Sequence, residues 1–206
     1  MNQASVLSSA TSILNSLATF HTIRLFIKMV KNTQWLYNDV QENRKVLSSN
    51  DSQLARRNYL RSLYSFYEVY LSDLREVVAK LLVDDFDLSG EWKLHEVFPL
   101  LDESARLGKN GKLDLEPNRI PFLSLVAYTL KAFAKQVGFE KEVLSDSRWE
   151  AFCQSTQIRH RITHPKFHTE IEITDDELKT IDSGLEWWKE INSELQNKRY
   201  AKSVGG

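Results

Sequence analysis

The sequence predicts an all-α protein, an up-and-down bundle of about five main helices. Three observations point there. Gly (7) and Pro (4) are scarce among 206 residues, which disfavours a turn-rich β fold. Apolar residues recur at spacings of three and four along most of the chain, the period of one helix face. Residues 52–83 contain neither Gly nor Pro, so nothing there breaks a long helix. A hydrophobic share of 42% is enough for a real core. The length suits a single domain, 1–206, with an N-terminal helix over 1–50 and a bundle over 51–200.

Taken in order, the first helix carries the stripe Val6, Ala10, Ile13, Leu17, Phe20, Ile27 and Val30, interrupted at Arg24 and running toward the mid-40s. Ser8, Ser9, Thr11, Ser12, Asn15, Ser16, Thr19, His21 and Thr22 dilute its apolar character, and no basic stretch precedes it. Neither a signal peptide nor a membrane span is expected. Ser48-Ser49-Asn50-Asp51-Ser52 supplies a turn and an N-cap. The second helix is the clearest element: Leu60, Leu63, Tyr67, Tyr70, Leu74, Val77 and Leu81 form its stripe, widened by Tyr64, Leu71 and Val78. Residues 84–119 read as a long surface connection with one short helix between Trp92 and Leu101 and turns at Gly108-Lys109-Asn110-Gly111 and Pro117-Asn118. Asp84, Asp85 and Asp87 are a poor calcium loop, because Gly90 falls at the seventh place where the sixth is needed.

A third helix runs from about Pro121 to Val137, with Gly138 as its stop. The fourth starts at Ser147, where Ser147-x-x-Glu150 has the form of a capping box, and buries Trp149, Phe152, Cys153 and Thr156. The residue before a proline is biased away from α geometry, so this helix ends near Thr163 or His164. The fifth opens at Thr174, with Asp175, Asp176 and Glu177 complementing its dipole.

There are 27 basic and 28 acidic side chains, giving a net charge of −1. A bulk basic field for nucleic acid is absent, and any polyanion must be held by a local patch. The single cysteine, Cys153, allows no internal disulfide, and a reducing, cytoplasmic setting fits.

That local patch is Ile158-Arg159-His160-Arg161-Ile162-Thr163-His164-Pro165-Lys166, the end of the fourth helix. On a continuous helix Arg159 and His164 would lie about 140° apart, so the proline matters: it releases His164 from helical registry. Arg offers a planar fork of donors that matches phosphate oxygens. His exchanges a proton near neutral pH, with a reference pKa of about 6.5. Together they suit general acid–base cleavage of a phosphodiester. The plainer reading is a solvated basic helix end that complements the dipole.

Residues 159–164 resemble the Arg-x4-His motif of the HEPN superfamily, all-helical domains that include many metal-independent RNases. The polar residue that follows the Arg in that family is here His160. The resemblance covers roughly 52–197 in organisation but only 159–164 in motif. It implies a homodimer in which two motifs share one cleft, with RNA cut internally and no cofactor or metal. Arg159 would anchor the phosphate and transition state, His164 would be general base or acid, and His160 the polar helper. Arg161 and Lys166 would guide the RNA backbone, with His168 a weaker candidate. Many relatives are toxins or defence effectors, often paired with a nucleotidyltransferase antitoxin. Some carry a Tyr two places after the His that the antitoxin modifies; Lys166 stands there in this chain. Glu68, one position from the core residue Tyr67, is a candidate to orient a catalytic side chain, and Arg56, Arg57 and Arg61 read as a solvated face.

Three rivals stay open. His160, His164 and His168 are spaced by four, but Pro165 separates the last from the helix and no Glu lies between the first two, so zinc is disfavoured. A HEPN domain without activity would serve as a dimerising or RNA-binding module. A helical partner-binding protein of another family would give the 158–166 segment no special role.

Overall fold

A computed structural model describes residues 3–89 and 92–205, with side chains described at 24, 27–82, 92–93 and 95–202. Among these residues lie five α-helices, α1 (Gln3–Ser49), α2 (Gln53–Ser89), α3 (Phe122–Val137), α4 (Ser147–Thr163) and α5 (Asp175–Gly205). The only sheet among them is one antiparallel hairpin, β1 (Glu103–Leu107) and β2 (Leu113–Pro117). The protein is an all-α helical bundle.

α2 is the organising helix. Its stripe is buried from Leu60 to Val78 at every position the spacing picks out, with Leu81 partly so. Each fully buried Leu or Tyr there contributes roughly 1.5–3 kcal/mol relative to exposure. α1 runs antiparallel along it, with Lys28 paired to Glu76 at 2.8 Å and Asn32 bonded to Asp73 at 3.1 Å. The buried face of α1 is Met29, Thr33, Val40 and Leu47, whereas Ile27 and Val30 are 51% and 54% exposed. The expected stripe is therefore out of phase by about a third of a turn at these residues, and the helix passes through Arg24 without interruption. Val6, Ala10, Ile13, Leu17 and Phe20 lie outside the residues whose side chains are described.

α2 continues through Asp84, Asp85 and Asp87 to Ser89, six residues beyond the expected end at 83. Gly90 is the first helix breaker after 52. In place of one short helix, Leu94–Glu96 and Phe98–Leu100 form two 3-10 turns, since Pro99 cannot donate an α-helical hydrogen bond. The hairpin follows, at the turns read from 108–111 and 117–118.

α3 ends as expected at Gly138, whose φ of 69° is the left-handed conformation that closes a helix. α4 does not use the Ser147 capping box. Its N-cap is Asp146, whose side chain accepts from the Arg148 N–H at 2.8 Å; a carboxylate one residue upstream reaches the free N–H groups first. The reciprocal box forms instead on α5. There the Glu177 N–H donates to Thr174 Oγ1 at 3.2 Å and the Thr174 N–H to Glu177 Oε2 at 3.0 Å. α4 and α5 are antiparallel and closely packed. A Cβ on Gly184 would stand 2.9 Å from Phe152 Cα, so only glycine permits this crossing. Phe152 sits in an aromatic core with Tyr67 and Trp188, ring centroids 5.3 and 5.4 Å away. Among the described residues no helix is long and apolar enough to cross a membrane.

Candidate active site at the end of α4

Phe152, Ser155, Ile158 and Ile162 bury one face of α4, which leaves His160 and Thr163 on its outer side and Arg159 at the edge toward α2. The helix stops at Thr163, and His164 is the C-cap with φ −127° and ψ 56°. It still donates its backbone N–H to the His160 carbonyl at 3.0 Å, while the following proline prevents another turn. Both imidazoles are exposed, and their centroids are 5.1 Å apart. Among the described residues neither ring has a hydrogen-bond partner.

Arg159 faces α2. Its Nη2 donates to Glu68 Oε1 at 2.8 Å, and its guanidinium carbon lies 5.7 Å from the centre of the Tyr64 ring. The Arg159 side chain is 35% exposed, open enough to meet a ligand while its Nη2 is held by Glu68. Tyr64 forms the floor. Its hydroxyl is within 2.9 Å of both Ser155 Oγ and Thr156 Oγ1. Burial pushes this hydroxyl up to about 12, so it stays protonated and locks α2 to α4 beneath the guanidinium. The sequence offers Glu68 as a candidate beside the core; Tyr64 reads there only as core, and its platform role has no signal in the chain.

No family model, curated protein or solved structure matches this chain.

Arg161 is used internally. Its Nη1 donates to the Glu170 and Glu172 carbonyls at 2.6 and 2.9 Å, and its Nη2 to Glu177 Oε1 at 2.7 Å. Lys166 has an exposed side chain, and its backbone N–H donates to Glu170 Oε2 at 2.7 Å. His168 is exposed in a short 3-10 turn, His168–Ile171. Among the described residues no three His, Cys, Asp or Glu side chains are grouped to hold a metal ion.

Arg56 and Arg57 depart from a solvated face. Arg56 pairs with Asp51 and Asp175, both at 2.5 Å, and its Nη1 donates to the Ile173 carbonyl at 2.7 Å. Asp51 first and Asp175 second hold its guanidinium above the ordinary range. Arg57 donates to the Ile171 carbonyl at 3.4 Å. Together they dock the 168–173 segment onto the start of α2. Arg61 alone of the three is exposed.

Proposed function

We propose that this protein is a metal-independent endoribonuclease of the HEPN kind, active as a homodimer in which two Arg159/His164 sets flank one RNA strand. The observation that carries this reading is a half-exposed guanidinium, held by Glu68 above the Tyr64 ring, on the same helix end as two exposed imidazoles. In the reaction, His164 takes the proton from a ribose 2′-hydroxyl. The 2′-oxygen attacks the adjacent phosphorus, the P–O5′ bond breaks, and the 5′-oxygen receives a proton from the second imidazole. The products are a 2′,3′-cyclic phosphate and a 5′-hydroxyl. Arg159 stabilises the extra charge on the phosphorane, which is usually the largest electrostatic contribution in such a step. His160 supports the imidazole beside it, and Lys166 offers an exposed ammonium to the flanking RNA backbone. A toxin or defence role, a cytoplasmic setting and a restraining antitoxin belong to the same proposal. Lys166 stands where some toxins carry a modified Tyr, so control by modification at that position is not part of the proposal.

One observation favours a silent RNA-binding or dimerisation module instead: Glu68 already neutralises Arg159. The deciding experiment incubates the protein with RNA in EDTA, beside Arg159→Ala and His164→Ala. Cleavage lost in both variants, and on RNA lacking the 2′-hydroxyl at the cut site, supports the enzyme. Equal survival of RNA with all three proteins across several substrates supports the module.

A further inference from the structure

His160 and His164 stand four residues apart at the end of α4. His164 has left the helical conformation, yet its N–H still bonds the His160 carbonyl at 3.0 Å. The two backbones therefore keep the i, i+4 relation that sets side chains side by side on one face. The ring centroids are 5.1 Å apart and the planes are tilted by 53°. Both rings are exposed, and among the described residues neither has a hydrogen-bond partner, so their nitrogens are open to a ligand. Two imidazoles on one tetrahedral zinc ion, with Zn–N bonds of about 2.0–2.1 Å, hold their ring centroids about 5.2 Å apart. The spacing in the protein already matches that of a shared ion.

The surrounding charges leave room for a cation. Arg159 is paired with Glu68 at 2.8 Å and Arg161 with Glu177 at 2.7 Å. The Glu170 carboxylate lies on the Lys166 backbone N–H, and the helix end contributes partial negative charge. Against these stands the exposed Lys166 ammonium.

We infer that His160 and His164 form a two-ligand site for a transition-metal ion of the zinc or copper kind, and that the ion silences the candidate active site. The binding half stands alone; the silencing half rests on the RNA-cleaving reading. A neutral imidazole has one lone pair to give. Spent on the ion, it leaves His164 unable to accept the 2′-hydroxyl proton. Imidazole suits zinc and copper, whereas Mg²⁺ and Ca²⁺ take oxygen ligands, so the site ignores the hard ions that accompany RNA. Two protein ligands are one fewer than a catalytic zinc centre has. Water completes the coordination, and the ion exchanges freely. His168 lies beyond Pro165 in its own 3-10 turn and is not part of the pair.

Calorimetric titration of the full chain with ZnCl₂, in the absence of RNA, tests the site. One equivalent is expected to bind. His160→Ala and His164→Ala should each raise the Kd at least about tenfold, with His168→Ala within about twofold of wild type; circular dichroism checks that the helices remain. MgCl₂ should give no saturable binding. Absence of zinc binding, or binding that survives both changes in the pair, overturns the site. Cleavage of a defined RNA by the wild type tests the silencing: zinc should inhibit over the range in which it binds, and EDTA should restore the rate. A bound ion that leaves the rate unchanged overturns the silencing. A protein that binds zinc through this pair and cuts no RNA in EDTA upholds the site and overturns the RNA-cleaving reading, and the silencing with it.

Discussion

Arg159 and Glu68 meet at 2.8 Å between α4 and α2, with the Tyr64 ring beneath the guanidinium. The pair sits at the surface, where an ion pair adds about 0–1 kcal/mol to stability at most. Its use is geometric: it fixes the direction of a flexible side chain that has to meet a phosphate. A substrate phosphate would compete with Glu68 for the same donors, so the carboxylate both aims the guanidinium and tempers its affinity.

Glu68→Gln should therefore leave the fold intact and change the kinetics. Removing the charge lowers KM, and looser aim lowers kcat by about tenfold, or ~1.4 kcal/mol of barrier. Steady-state cleavage of a defined RNA separates the two effects. If KM and kcat are both unchanged, Glu68 has no positioning role.

Tyr64→Phe removes the hydroxyl that joins α2 to Ser155 and Thr156. Both of those hydroxyls keep the Phe152 carbonyl as acceptor, so no buried donor is orphaned. The expected loss is about 1 kcal/mol, seen as a fall in Tm of about 2–4 °C in a chain of this size.

Gly184→Ala should be more damaging than its size implies. The new methyl meets the Phe152 backbone, with Cα at 2.9 Å and N at 3.1 Å, and backbone cannot swing aside. Prying α5 from α4 costs about 1–3 kcal/mol, which chemical denaturation measures. An unchanged midpoint would show that the crossing is looser than the structure has it.

Acid should expose the α4 cap. Arg148, through its side chain and then its backbone N–H, holds the Asp146 carboxyl at about 2, below its ordinary 3.8. A depressed folded pKa means this stabilisation is fully present above about pH 4 and is lost as pH falls toward 2. Stability measured against pH should fall through that window, and the fall should be shallower in Asp146→Asn.

The sequence made some of this legible and hid the rest for physical reasons. The α2 stripe, the stop at Gly138 and the end of α4 at Thr163 each follow from local rules: a 3.6 period, a left-handed glycine and a pre-proline residue. The hairpin is not legible as strands, although Leu113-Asp114-Leu115-Glu116 alternates and 108–111 is a turn, because its leucines are not core and five-residue strands carry little pattern. The phase of α1 was blurred by exposed Ile27, Val30 and Trp35. At the candidate site, the Arg159–His164 spacing was visible in the chain. What distinguishes Arg56 from Arg61 was not, since it depends on Asp175 and Ile173 arriving from far along the sequence.

Arg161 closes a ring. From its own α-carbon the chain runs through His164 and Pro165 to the Glu170 and Glu172 carbonyls, which its guanidinium grips. The loop that bears the outer imidazole is thus tethered at both ends, by the helix on one side and by one side chain on the other. Release of Arg161 would leave the His164 backbone held from the helix side alone, by its N–H to the His160 carbonyl.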